Sequence, residues 1–186
     1  MEALVVSAGI VALAEMGDKT QLLAFVLAAR YRRPVPVILG ILAATLANHA
    51  LAAWLGAGVA SVLGPDALRW ILGLSFLAMA TWTLIPDRLE TEAPQGARLG
   101  AFAATLIAFF LVEIGDKTQV ATIALAARYA SIWLVVAGTS LGMLIADVPA
   151  VVFGERILRR MPAKAVHRAA AAGFALLGAL ALIAPV

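Results

Sequence analysis

The chain has 186 residues, of which 63% are hydrophobic and only 13% charged, with a mean hydropathy of +0.99. A soluble globular domain carries about twice that share of charged residues, so the composition excludes that class and favours an integral membrane protein. The chain has no cysteine. Disulfides and thiolate metal sites are therefore excluded, and any bound metal needs oxygen or imidazole ligands.

Six apolar segments are long enough to cross the roughly 30 Å hydrocarbon core of a bilayer as helices of about 20 residues. In chain order they cover approximately residues 3–29, 35–62, 67–85, 99–127, 132–153 and 165–184. The first segment opens with Glu2 instead of a basic flank, which favours a retained span over a signal peptide. Backbone groups in lipid must be bonded internally, so we predict an all-α integral membrane protein, one domain over residues 1–186, with six transmembrane helices.

The distribution of basic residues predicts the orientation of these spans. If successive loops alternate between the two sides of the membrane, one side collects most of the Lys and Arg residues. That side holds Arg30, Arg32, Arg33, Arg88, Arg98, Arg156, Arg159, Arg160, Lys164 and Arg168, whereas the other holds only Arg69 and Arg128. Because the basic side is normally cytoplasmic, we expect both termini outside the cytoplasm. No basic stripe suggests nucleic-acid binding.

The sequence contains an internal repeat. A shift of 98 residues aligns residues 15–31 with residues 113–129 without a gap, and 11 of these 17 positions are identical. The chain therefore divides into repeat one (1–86), a connector (87–98) and repeat two (99–186). Each repeat has three spans, an odd number, so the second copy is predicted to insert in the opposite direction. Inverted-topology repeats are typical of secondary transporters; duplication for packing alone is the alternative.

Two charged motifs, EMGDKTQ at 15–21 and EIGDKTQ at 113–119, lie near the middle of the first and fourth spans. On a continuous helix, residues i, i+3 and i+4 share a face. That spacing predicts that Glu15, Asp18 and Lys19 point together, as do Glu113, Asp116 and Lys117. The glycine inside each motif, Gly17 or Gly115, permits either close helix approach or local unwinding.

A charge at the bilayer centre costs about 2.5–3.5 kcal/mol, so these groups must pair, line a wet cavity or be neutralised by protons or a bound ion. Four carboxylates and two lysines leave a net charge of −2, which one divalent cation or two protons would neutralise. Metal and protons compete for the same carboxylates, and this competition is the basis of cation/proton antiport. A purely structural network of lysine–carboxylate pairs is the alternative.

Oxygen ligands favour Ca²⁺, Mn²⁺ or Mg²⁺ over zinc or copper. Further neutral oxygens can come from Thr20, Thr118, Gln21 and Gln119, although the threonines reach the glutamate face only if the helix unwinds.

Three more polar residues are predicted within the membrane. His49 and Asp147 are equivalent under the 98-residue shift, and Asn48 precedes His49. Asp147 is followed by Pro149, which leaves the Ile145 carbonyl without its helical donor, so we expect Asp147 to take part in ion binding or proton transfer. His49 titrates near neutrality and is a candidate proton relay. A hydrogen bond between helices is the alternative for His49 and for Asn48.

Two E-φ-G-D-[KR]-[ST] motifs in a six-span chain resemble the Gdt family of calcium/manganese transporters, which includes Golgi, chloroplast and bacterial members. The resemblance implies export of Mn²⁺, and of Ca²⁺ as a second candidate, in exchange for protons, without a resident cofactor or enzymatic activity. It implies that Glu15, Asp18, Glu113 and Asp116 are the metal-binding carboxylates. The short connector and the lack of a leader segment indicate a member from a bacterial plasma membrane.

Two other functions are consistent with an acidic intramembrane site. A passive divalent cation channel would conduct without proton coupling. An intramembrane metal-dependent hydrolase would have its acidic site near the lipid headgroups, and the central depth of both motifs disfavours it.

Overall fold

The computed structural model describes residues 1–85, 100–129, 131–154 and 162–183. Within these ranges the chain forms eight α-helices and no β-strand, so the predicted all-α class is confirmed. The helices are α1 (Glu2–Glu15), α2 (Lys19–Tyr31), α3 (Pro34–Val62), α4 (Pro65–Thr83), α5 (Ala101–Glu113), α6 (Lys117–Arg128), α7 (Ile132–Phe153) and α8 (Ala163–Ile183).

Three of the described helices are long and apolar enough to cross a membrane. They are α3, α7 and the Lys164–Ile183 part of α8, and they coincide with the second, fifth and sixth predicted spans. The third predicted span is a single helix of 19 residues, α4. The predicted connector 87–98 and the basic residues at positions 156, 159 and 160 lie outside the described residues.

The first and fourth predicted spans are not continuous helices. α1 ends at Glu15 and α2 begins at Lys19, and the same break separates α5 from α6. Gly17 and Gly115 occupy the left-handed region, with φ of 87° and 78°, a conformation that costs any other L-residue about 1–2 kcal/mol. A Cβ built on Gly115 would meet nothing within 4 Å, so this glycine is needed for unwinding and not for close helix approach.

The two repeats are intertwined. The first helix of each repeat packs against the second span of the other, so that α1 lies on α7 and α5 lies on α3. A Cβ on Gly40 would approach the Phe102 carbonyl oxygen to 2.8 Å, and one on Gly138 would approach the Leu4 carbonyl oxygen to 2.5 Å. Both pairs of contacts are related by the 98-residue shift, so equivalent glycines permit equivalent close approaches.

α4 and α8 also pack against each other. At their contact the equivalent residues Phe76 and Phe174 stack with ring centroids 6.5 Å apart, and both are buried. Each residue of this pair therefore meets its own equivalent from the other repeat. The two helix breaks also lie close to each other in the interior.

Candidate metal site

Each helix break presents an aspartate at the start of the following helix. Asp18 is the N-cap of α2, and its side chain accepts a hydrogen bond of 2.8 Å from the backbone N–H of Lys19. Asp116 is the N-cap of α6. The backbone N–H groups of Asp18 and Asp116 donate to the carbonyl oxygens of Glu15 and Glu113 at 3.0 and 3.1 Å. These bonds fix each aspartate next to the glutamate of its own motif, at the positive end of a helix dipole.

Gln21 and Gln119 each stabilise the helix break of their own motif. The Oε1 atoms of Gln21 and Gln119 accept hydrogen bonds from the backbone N–H groups of Gly17 and Gly115, at 3.1 and 2.7 Å. Gln21 also donates from Nε2 to the Ala146 carbonyl oxygen of α7 at 2.8 Å. The predicted neutral oxygens of the glutamines are therefore used to hold the backbone turn.

The lysines pair across the two motifs. Lys19 Nζ lies 2.7 Å from Asp116 Oδ1, and Lys117 Nζ lies 3.8 Å from Asp18 Oδ2. These two pairs are equivalent under the 98-residue shift. Lys117 also donates to the Ile85 carbonyl oxygen at 3.1 Å. The continuous-helix prediction that each lysine shares a face with its own glutamate is wrong, because the helix ends before the lysine and turns it towards the other motif.

Three carboxylates from the two motifs meet in one place. Glu15, Asp18 and Asp116 are at most 3% exposed, and each offers an oxygen such that the three atoms lie within 4.8 Å of one another. Two ligands on opposite sides of a Ca²⁺ ion, each about 2.3–2.6 Å from it, are separated by roughly that distance. A single divalent cation can therefore reach all three; we call these residues the three-carboxylate cluster.

Thr20 contributes to this cluster through Glu15. Its hydroxyl donates a hydrogen bond to Glu15 Oε2, a contact that a continuous helix would not allow and that the unwinding at Gly17 makes possible. The other oxygen of Glu15 has no hydrogen-bond partner among the described residues. In the second motif Thr118 lies instead beside an aspartate, with Oγ1 3.5 Å from Asp116 Oδ2.

Glu113 is separate from the three-carboxylate cluster. It is fully buried, and its Oε2 lies 3.6 Å from Nε2 of His49 on α3. Within the described ranges neither oxygen of Glu113 has a hydrogen-bond partner. Asn48, the residue before His49, donates from Nδ2 to the Phe110 carbonyl oxygen of α5 at 3.0 Å. The structure thus brings three of the four predicted carboxylates together and places the fourth against an imidazole.

Asp147 is fully buried in α7, and neither of its oxygens has a hydrogen-bond partner in the described part of the chain. Pro149 lies inside the same helix, as the sequence predicted, and the neighbouring Ala146 carbonyl oxygen accepts a hydrogen bond from the Gln21 side-chain amide.

The sequence did not predict that the Ile85 carbonyl oxygen accepts a hydrogen bond from Lys117. A residue at the end of an apolar span carries no signal of such a contact.

The chain is similar to known proteins over nearly its whole length. The family model described as "Divalent cation/proton antiporter GDT1" matches residues 3–91 and 101–186. The chain is 55% identical over 183 residues to a protein of Vibrio cholerae serotype O1 named "Putative manganese exporter", with 97% of this chain and 90% of that one covered. It is 30% identical over 177 residues to a GDT1-like protein of Synechocystis sp., covering 84% and 85% of the two chains.

No solved structure matches the chain. Both the family and the Vibrio relative are named as transporters, the family of divalent cations and protons and the relative of manganese. The hydrolase alternative does not agree with these names. Over nearly its whole length, the chain belongs to the GDT1 family of divalent cation/proton antiporters.

Proposed function

We propose that this protein exports Mn²⁺ from the cytoplasm in exchange for protons, with Ca²⁺ as a second substrate. The observation that carries the proposal is the three-carboxylate cluster, in which both motifs supply buried oxygens within 4.8 Å of one another. Oxygen-rich sites of this kind suit Mn²⁺ and Ca²⁺. The name of the Vibrio relative supports Mn²⁺ as the main substrate.

The arrangement of charges supports exchange of one metal ion for two protons. Lys19 pairs with Asp116 and Lys117 pairs with Asp18, so the two cross pairs are neutral. The remaining negative charge of the six groups is then carried by Glu15 and Glu113. A divalent cation at the three-carboxylate cluster balances this net charge of −2 in one state of the cycle, and two protons balance it in the other.

Alternating access would follow from six spans arranged as two inverted repeats. The equivalent contacts at Gly40 and Gly138, and the stacking of Phe76 on Phe174, support this symmetry. The halves can then exchange conformations, which opens the site first to one side of the membrane and then to the other. By the distribution of basic residues, both termini lie outside the cytoplasm of a bacterial cell.

Transport in proteoliposomes containing a pH-sensitive dye tests this function. We expect a Mn²⁺ gradient to drive proton counterflow of two protons per ion, with a smaller Ca²⁺ response and the smallest response for Mg²⁺. Protein-free liposomes and the Glu15→Gln variant serve as controls. A passive channel would instead carry Mn²⁺ without proton counterflow, and that result would contradict the proposal.

A further inference from the structure

The two repeats place different groups beside their motifs. His49 in α3 occupies the position that Asp147 occupies in α7, since the two are related by the 98-residue shift. Both side chains are fully buried. This difference places an imidazole in one repeat where the other repeat has a carboxylate.

No hydrogen bond to a described residue ties the His49 imidazole to a neighbouring helix. A nitrogen that tied α3 to a neighbour would make a hydrogen bond of about 2.7–3.2 Å, but neither ring nitrogen makes one with any described residue. Asn48, the adjacent residue, provides that link to α5 through the Phe110 carbonyl oxygen. His49 is therefore left facing Glu113, whose two oxygens are also without hydrogen bonds in the same part of the chain.

The separation of the two groups fits two ligands of one ion. His49 Nε2 and Glu113 Oε2 are 3.6 Å apart, longer than a hydrogen bond. Two ligands about 2.2 Å from a metal ion are separated by about 3.1 Å at a right angle and by about 4.4 Å when opposite. The observed separation lies between these limits, and both atoms are in the interior, where an uncompensated carboxylate is costly.

We propose that His49 is a nitrogen ligand of the transported ion and, with Glu113, forms a second position for it, distinct from the three-carboxylate cluster. Imidazole binds transition metals well, whereas Ca²⁺ and Mg²⁺ prefer oxygen. His49 therefore favours Mn²⁺ over those two ions. The proposal rests on the proposed function for the identity of the transported ion.

Pulsed electron paramagnetic resonance of Mn²⁺ bound to the purified protein tests the ligand directly, because a coordinated imidazole nitrogen modulates the echo of the ion. The chain has two histidines, His49 and His167, so two variants resolve the source of the signal. We expect nitrogen modulation in the wild type and in His167→Gln, and its loss in His49→Gln. Modulation that survives His49→Gln, or that is absent from the wild type, overturns the proposal.

Labelling provides a test that does not depend on the folding of a variant. In wild-type protein containing ¹⁵N-histidine, the ¹⁴N modulation should be replaced by the ¹⁵N pattern, and an unchanged ¹⁴N pattern overturns the proposal. These spectra report binding alone. If the wild type shows the imidazole signal but transports no Mn²⁺, the proposed function fails while the ligand assignment stands.

Selectivity gives the functional readout. We expect His49→Asp, which makes this position resemble Asp147, to lower the ratio of Mn²⁺ to Ca²⁺ transport by about tenfold or more, the scale of effects seen when groups around a metal are changed. His167→Gln should leave the ratio unchanged. An unaltered ratio in a folded His49→Asp protein would contradict the assignment of His49 as a selectivity residue.

Discussion

The motifs EMGDKTQ and EIGDKTQ differ at one residue, yet their glutamates have different surroundings. The backbone is the same in both: a helix ends at the glutamate, a glycine turns left-handed and an aspartate starts the next helix. However, Glu15 accepts a hydrogen bond from the Thr20 hydroxyl and belongs to the three-carboxylate cluster, whereas Glu113 faces His49. The local sequence determines the backbone conformation, whereas the tertiary packing determines which groups each glutamate contacts.

The largest expected effect concerns the glutamates themselves. Glu15→Gln and Glu113→Gln should each abolish Mn²⁺ transport, because each removes one of the two charges left uncancelled by the lysines. Mn²⁺ affinity should distinguish the two variants. We expect the affinity, measured by titration calorimetry, to fall by ~100-fold in Glu15→Gln and by ~10-fold in Glu113→Gln. Asp66→Asn, at a largely exposed carboxylate, is the matched control. Equal losses of affinity would mean that the two glutamates are equivalent.

The lysines should show a smaller difference, in stability. Breaking a buried ion pair by removing one partner costs about 3–5 kcal/mol, and Lys117 is only 2% exposed. Lys117→Met should approach that loss, since it also removes the bond to the Ile85 carbonyl. Lys19 is 23% exposed, so water can replace it and Lys19→Met should cost less.

Equilibrium unfolding in detergent measures this difference between the lysines. The exposed Lys164→Met is the control and should leave the stability unchanged. A greater loss of unfolding free energy in Lys19→Met than in Lys117→Met would show that the shorter ion pair contributes more to stability than the more deeply buried one.

The smallest effects are expected where the motifs are alike. Gly17→Ala and Gly115→Ala should each lower the free energy of unfolding by about 1–2 kcal/mol, because both residues have positive φ. Thermal unfolding should show similar shifts for both. Gly9→Ala is the control, since Gly9 lies within α1 and a Cβ there meets nothing within 4 Å; it should be neutral or slightly stabilising. Unequal shifts in Gly17→Ala and Gly115→Ala would show that the two breaks are not equivalent.

Much of the helical architecture was predictable from hydropathy, because backbone in lipid must form helices. The second and fifth predicted spans match α3 and α7 within a residue. The breaks at Gly17 and Gly115 were foreseen only as one of two possibilities, since a glycine inside a span signals either close approach or unwinding. The prediction that each lysine shares a helix face with its own glutamate failed because of these breaks. Residues i, i+3 and i+4 share a face only while the helix continues.

The sequence by itself determined the class of the protein, the repeat and the residue types of the site, because these follow from composition and from spacing along one chain. Only the tertiary structure decided which groups meet. It paired each lysine with the aspartate of the other motif, gathered Glu15, Asp18 and Asp116, and placed Glu113 against His49. Such contacts join residues up to about a hundred positions apart, and they depend on how α1 and α5 pack against the opposite repeat.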